Sequence, residues 1–298
     1  KKRDTYIFTK GGFIMHCEIC GGQIEIQANG KGMCMTCGTT YSIEYLRKLL
    51  CNNPTQSNRI SPTNSNDFEI VAGTLKKYRG NSRRVIIPEG VVEIADHVFQ
   101  NMSYLESIQL PTTLLSIRDS AFSECKSLKE IVIPKNVNSI RCAAFSGCTS
   151  LTEITIPDSV TYLGSHVFHK CSNLKKVTLS NNIKKIESTT FEYCESLLNI
   201  SIPESVEIIE RHAFGSCKNL KEVYLPHAVE VPRDDFPFSC CKQLKKVICP
   251  SHFPPRIFIG TPWYENKSRE LIQNGICPYC EGRLSIFGKK CKSCGKSY

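Results

Sequence analysis

PKNVNSIRCAAFSGCTSLTEITI, residues Pro134–Ile156, reads as one turn of a repeating chain. Val137 and Ile140 lie three apart, Ala144 and Phe145 adjoin, Cys148 and Leu151 are again three apart, and Ile154 and Ile156 alternate as a strand does. Stepping outward by 23 residues finds the same residue types: Phe99, Phe122, Phe145, Phe168, Phe191 and Phe214 keep the period, and Phe238 resumes it after one inserted residue. From Phe122 on, each opens F-x-x-C-x-x-L, through Cys125, Cys148, Cys171, Cys194, Cys217 and Cys241; the first unit has Met102 instead. A fixed spacing of this length signals stacked units.

The pattern predicts a mainly β solenoid, a right-handed rod of 23-residue units with one short strand per turn, a Pro-marked corner and a tight return through the Ala-Phe turn. Like residues then form ladders, and seven steps from Ile87 to Cys249 give roughly 34 Å at the spacing of neighbouring strands. The Phe and Cys ladders are expected to be core, the thiols acting as small buried hydrophobes. Parallel stacked side chains do not face one another as a disulfide requires. Cys51, Cys142, Cys240 and Cys249 fall outside the ladder and form no ligand pattern. His97, His166 and His212 share one column but lie two or three units apart, too far for one coordination sphere; they read as surface or packing residues.

Residues 67–265 resemble the BspA-type leucine-rich repeat family, whose motif I-P-x-x-V-x-x-I-x-x-x-A-F-x-x-C-x-x-L is met throughout by Pro134–Ile156. The resemblance implies the fold and a binding surface, with no catalytic residue. It also implies an opening hairpin like Asp67–Tyr78 and a close near Gly260–Trp263, both covering strand edges.

Two four-cysteine modules flank the repeats. Cys17, Cys20, Cys34 and Cys37 form C-x2-C-x13-C-x2-C, and Cys277, Cys280, Cys291 and Cys294 form C-x2-C-x10-C-x2-C. Two residues between cysteines let the chain turn so that both thiolates reach one ion, and Gly21, Gly22, Gly38 and Gly295 permit close backbone approach. The modules resemble zinc ribbons, with two structural Zn2+ expected. Iron uses similar ligands, whereas a thioredoxin-like pair would need a strand-helix-strand unit that the pattern lacks.

The resulting division is 1–14 as an upstream extension before Met15, 15–50 as a ribbon plus a short helix over Ser42–Leu50, 51–66 as a polar linker, 67–265 as the solenoid, and 266–298 as the second ribbon. The formal charge of +10 sits at the ends: residues 67–265 hold 23 Lys/Arg against 22 Asp/Glu. The longest apolar runs are far short of the ~20 residues that cross a bilayer, and residues 1–15 show no secretory h-region. With 18 cysteines and two thiolate sites, a reducing, cytoplasmic setting is expected.

No P-loop, G-x-G-x-x-G, G-x-S-x-G or H-E-x-x-H occurs, so a non-enzymatic scaffold binding an unidentified protein is expected. The residues flanking the strand Ile in L-x-x-I-x-I project outward. They form the columns Ser107, Glu130, Glu153, Lys176, Asn199, Glu222, Lys246 and Gln109, Val132, Thr155, Thr178, Ser201, Tyr224, Ile248. The alternative is nucleic acid at the ribbons, through Arg283, Lys289, Lys290, Lys292 and Lys296 with Tyr279, Phe287 and Tyr298 to stack. An extracellular adhesin is a further class, disfavoured by the reduced thiolate sites.

Overall fold

The computed structural model describes residues 6–9, 12–16, 23–26, 32–41, 65–232, 235–249, 255–274, 276–279, 281, 283–285 and 290–297, in two compact units, 1–60 and 61–298. The helix expected over Ser42–Leu50 and most of the 51–66 linker lie outside the described residues, as do Cys17, Cys20 and Cys280.

The first unit is a five-stranded antiparallel sheet in sequence order: β1 Tyr6–Thr9, β2 Gly12–His16, β3 Gln23–Ile26, β4 Gly32–Cys34 and β5 Thr40–Tyr41. β1 pairs with β2, and β2 with β3, so residues before Met15 take part in the sheet that carries Cys34. Ile24, opposite Cys34 in the register, is buried with it.

The second unit is a β-solenoid of eight turns, marked by Val85, Ile108, Ile131, Ile154, Val177, Ile200, Val223 and Val247. On the first wall, strands such as Glu153–Thr155 and Lys176–Thr178, or Asn199–Ser201, Glu222–Tyr224 and Lys246–Ile248, pair in parallel with identical repeat positions opposite. After the proline corner, two-residue strands form a second wall, with Glu93–Ile94, Ser116–Ile117, Ser139–Ile140 and Tyr162–Leu163 in register.

The return wall, where the repeat carries Ala-Phe, has hydrogen bonding of its own. His97, Phe99 and Asn101 donate their amides to the carbonyls of Asp119, Ala121 and Ser123, at 3.0, 2.8 and 2.8 Å. Ser120, Phe122 and Glu124 donate to Cys142, Ala144 and Ser146 in the next turn, and Thr189, Phe191 and Tyr193 to Arg211, Ala213 and Gly215. The outer two of each trio have left-handed backbone, from His97 at φ 62° and Asn101 at 63° through His212 at 52° and Ser216 at 57°. This conformation favours glycine, yet of these positions only Gly147 is glycine. The amides each such turn aims along the rod offset its local cost, of order 1–3 kcal/mol per residue.

Inside, Phe99 to Phe238 form an unbroken stack of seven buried rings, with centroids 5.1–5.7 Å apart and planes within 12° of parallel. Each ladder cysteine donates its S–H to the Phe carbonyl of the preceding turn: Cys125 to Phe99 at 3.1 Å, Cys148 to Phe122 and Cys171 to Phe145 at 3.2 Å. Cys194, Cys217 and Cys241 do the same with Phe168, Phe191 and Phe214. A thiol therefore fits better than a methyl group, because it fills the hole and satisfies a second lone pair on a buried carbonyl.

Both ends of the stack are covered. Phe68–Val71 and Thr74–Tyr78 form a hairpin through Ala72-Gly73, both at positive φ as a tight two-residue turn requires, and Tyr78 places its ring 5.3 Å from Phe99. At the other end Phe258, on a 3-10 turn, stacks on Phe238 at 4.9 Å, and Trp263 packs edge-on against Phe258 at 4.8 Å. Trp263 opens helix α1, Pro262–Gln273, and donates its amide to the Leu244 carbonyl at 2.9 Å. Thr261 caps this helix by accepting from the Tyr264 amide, and proline stands in its first turn.

Candidate binding face and cysteine knuckles

Period-two alternation on the first wall sends the strand Ile or Val inward and its two neighbours outward. Ile154 is buried while Glu153 and Thr155 are exposed, and Ile200 is buried while Asn199 and Ser201 are exposed. Glu130, Val132, Lys176, Thr178, Gln109, Tyr224 and Lys246 are exposed as well; Ser107, Glu222 and Ile248 are half-buried. Val132 is 81% exposed and Tyr224 40% exposed, so apolar area interrupts an otherwise polar surface.

Charges on this face are partly paired between turns. Arg83 reaches Glu106 at 2.8 Å, Lys246 contacts Glu222, and Lys218 reaches Glu195 at 2.6 Å. The Arg83 hydrogen bond holds the Glu106 carboxyl below the usual range, and Lys246 does the same for Glu222. All lie at the solvent-facing surface, where water screens them and they add little to stability.

The ladder cysteines and the return-wall histidines sit as packing residues. Burial pushes the Cys125 and Cys171 thiols up to about 12, and those of Cys148, Cys194 and Cys217 well above the usual value, so these five are protonated and poorly nucleophilic. His97, His166 and His212 occupy left-handed positions of the return wall; His212 Nδ1 meets Ser239 Oγ at 2.7 Å, and His166 lies beside His169. Burial, then the charges of Lys170 and His166, lowers the pKa of His169, whose Nδ1 stands 3.4 Å from Glu192 without a hydrogen bond.

At the C-terminal end, Cys277, Cys291 and Cys294 bring their sulfurs within 4.8 Å of one another, with Cys277 and Cys294 3.7 Å apart. The Ser293 and Cys294 amides point at Cys291 Sγ, at 3.3 and 3.5 Å. The residue after the second cysteine of each described knuckle has left-handed backbone and donates its amide to the first cysteine's carbonyl. These are Gly38 to Cys34 at 2.9 Å, Glu281 to Cys277 at 2.8 Å and Gly295 to Cys291 at 3.0 Å. Cys37 Sγ also meets Thr39 Oγ1 at 3.1 Å. A small cluster of Cys277, Leu284 and Cys291, backed by Ile272 of α1 and by Tyr279, supports the C-terminal sulfurs. Lys296 Nζ sits 3.1 Å above the Tyr279 ring, covering one face of an aromatic expected to stack on bases.

The family model for the BspA type leucine rich repeat region, in six copies, matches residues 77–198 and 138–261. The chain belongs to this family. Among solved structures, a leucine rich repeat protein of T. pallidum is 30% identical, with a TM-score of 0.58 over 61% of this chain and 90% of that one. A leucine-rich repeat protein from Bacteroides ovatus is 27% identical, covering 56% of this chain and 55% of its own with a TM-score of 0.45. A leucine rich cell surface protein from Faecalibacterium prausnitzii is 24% identical, covering 57% and 60% with a TM-score of 0.42. The chain thus spans little more than half the length of these last two. No curated protein matches it.

The BspA-type match ends before the C-terminal knuckles, which rest on their own geometry. Two features of the repeat escaped sequence reading. The left-handed positions carry His, Ser, Ala, Glu, Lys and Tyr, with no composition signal, and Phe258 extends the ring stack outside the F-x-x-C motif. Among the described residues, no helix is long and apolar enough to cross a membrane.

Proposed function

We propose that this BspA-type repeat protein is a non-enzymatic scaffold that binds another protein on the first wall of its solenoid, and that each terminal module is built around one structural Zn2+. The supporting observation for the first part is the exposed double column of outward side chains, held rigid by ladders on all three walls. Leucine-rich repeat proteins commonly bind other proteins through such surfaces. The columns from Gln109 to Ile248 offer neither a nucleophile with an adjacent base nor an enclosed site. Full-length tagged chain should retain a protein partner from native lysate after nuclease treatment. The variant Val132→Asp/Thr155→Asp/Thr178→Asp should lose it with an unchanged circular dichroism spectrum; retention by that variant would move the interface off this wall.

The metal reading is supported by the three gathered sulfurs. A tetrahedral site with Zn–S near 2.3 Å separates its sulfurs by about 3.8 Å, close to the 3.7 Å between Cys277 and Cys294. Cys280 would supply the fourth ligand, and Cys17, Cys20, Cys34 and Cys37 the other set. With four protein ligands, a site of this kind lends cohesion to a module too small to hold itself, and reduced thiolates suit the cytoplasm. Nucleic-acid binding at the basic C-terminal module is the weaker reading, since Lys296 already occupies the Tyr279 face.

A further inference from the structure

The proposed binding wall is electrostatically divided along its length. Toward its N-terminal half Glu130 and Glu153 are exposed and form no ion pair with a described residue. In the last four turns the acid of the wall, Glu222, is engaged by Lys246, and Glu195, on the turn leading into it, by Lys218. Lys175, Lys176, Lys221 and Lys245 are left exposed, without a carboxylate partner among the described residues.

The backbone places Lys175, Lys221 and Lys245 at one repeat position on the fifth, seventh and eighth turns. The Lys175 amide donates to the Thr152 carbonyl, Lys221 to Leu198 and Lys245 to Lys221, at 2.8, 2.9 and 3.2 Å. Leu198, 43% exposed, fills the same position on the sixth turn, and Tyr224, 40% exposed, stands on the turn of Lys221. From the turn of Lys175 to that of Lys245 is three steps, roughly 14 Å at strand spacing. In an extended peptide, three carboxylates on alternate residues span about 13 Å. A longer regular polyanion would run into Glu153 and Glu130, and the apolar side chains between the lysines do not suit a phosphate track.

We propose that the C-terminal half of the wall binds an acidic, extended protein segment lying along the rod axis, its carboxylates on Lys175, Lys176, Lys221 and Lys245 and an apolar side chain against Leu198 and Tyr224. This rests on the binding-wall reading above and names the chemistry of its partner.

The test titrates the full chain with a fluorescein-labelled peptide alternating glutamate with valine, beside its lysine counterpart, an oligothymidylate and phosphatidylserine vesicles. The glutamate peptide should bind, more weakly as salt rises, and the lysine peptide should not. Lys175→Glu/Lys221→Glu/Lys245→Glu should weaken binding by about tenfold or more, and the corresponding glutamine variant by less. Lys76→Glu/Lys77→Glu on the opening hairpin should leave it unchanged. Failure of the glutamate peptide to bind overturns the proposal, as does an equal loss in the hairpin variant. It is overturned too if the oligothymidylate or the vesicles bind more tightly and are what the lysine variants weaken. If the native partner is lost by the Val132/Thr155/Thr178 variant but kept by the lysine variants, only this inference falls; if both variants keep it, the binding-wall reading falls as well.

Discussion

At Cys171 a single sulfur fills the space beneath a ring, donates to a carbonyl one turn away and keeps its proton because no charge is tolerated there. Burial pushes the folded thiol up to about 12 from an ordinary value of 9.0. Its contribution to stability is therefore complete below about pH 9 and is lost as pH rises toward the folded value. The urea midpoint should be flat from neutral pH to about pH 9 on this account and fall above it. In native protein at mildly alkaline pH, iodoacetamide should label exposed Cys240 and spare the six ladder thiols, as read by peptide mass spectrometry. Labelling of Cys171 at the rate of Cys240 would show that the ladder opens far more readily than its burial implies.

Among elements, the ring stack is the one whose loss should be felt most. Phe168→Ala leaves a cavity in mid-rod that neighbouring turns cannot close without breaking their own register, so unfolding free energy should drop by ~3–5 kcal/mol. A urea titration showing less than about 1 kcal/mol would contradict a continuous core. This stack was legible in the sequence because a buried ring tolerates few substitutes and recurs at one spacing. The return wall was not, since its left-handed residues act through backbone amides and leave side-chain identity open: His97, Ser120, Ala143, His166, Thr189 and His212 share one conformation. Phe258 was hidden for a related reason, as it reaches the stack from a 3-10 turn that lacks the repeat motif. In the knuckles the cysteine spacing was readable, whereas the left-handed turn at Glu281 was not, because glutamate does not advertise it.

For the second unit as a whole, α1 joins the large rod core to the small cysteine cluster. Trp263 and Tyr264 face the rod core, and Ile272 faces the cysteine cluster. Trp263 is the only tryptophan, so its emission reports the rod end alone. Purified protein should carry about two Zn2+ per chain, released by chelator at neutral pH. Chelation should leave Trp263 emission and the cooperative unfolding of the rod unchanged, because the ring stack closes on Phe258 before the module begins. A red shift on chelation would show instead that the metal module holds the helix against the rod.

The return wall has an electrical consequence. Its amides from His97, Phe99 and Asn101 onward all point toward the C-terminal end, and the carbonyls that receive them point back. On the first wall the directions alternate, Glu106 donating backward to Arg83 and Ile87 forward to Gln109, so their dipoles largely cancel. Three files of peptide dipoles thus run head to tail along the return wall, an arrangement otherwise met along the axis of an α-helix, where each unit contributes about 3.5 D, while on the second wall Leu115 and Arg118 donate backward to Val92 and Ile94, and Asn138 and Arg141 to Leu115 and Ile117. The return wall therefore carries its positive pole at the C-terminal end of the rod, the backward amides of the second wall oppose it, and an ion would meet a field that differs from one wall to the next.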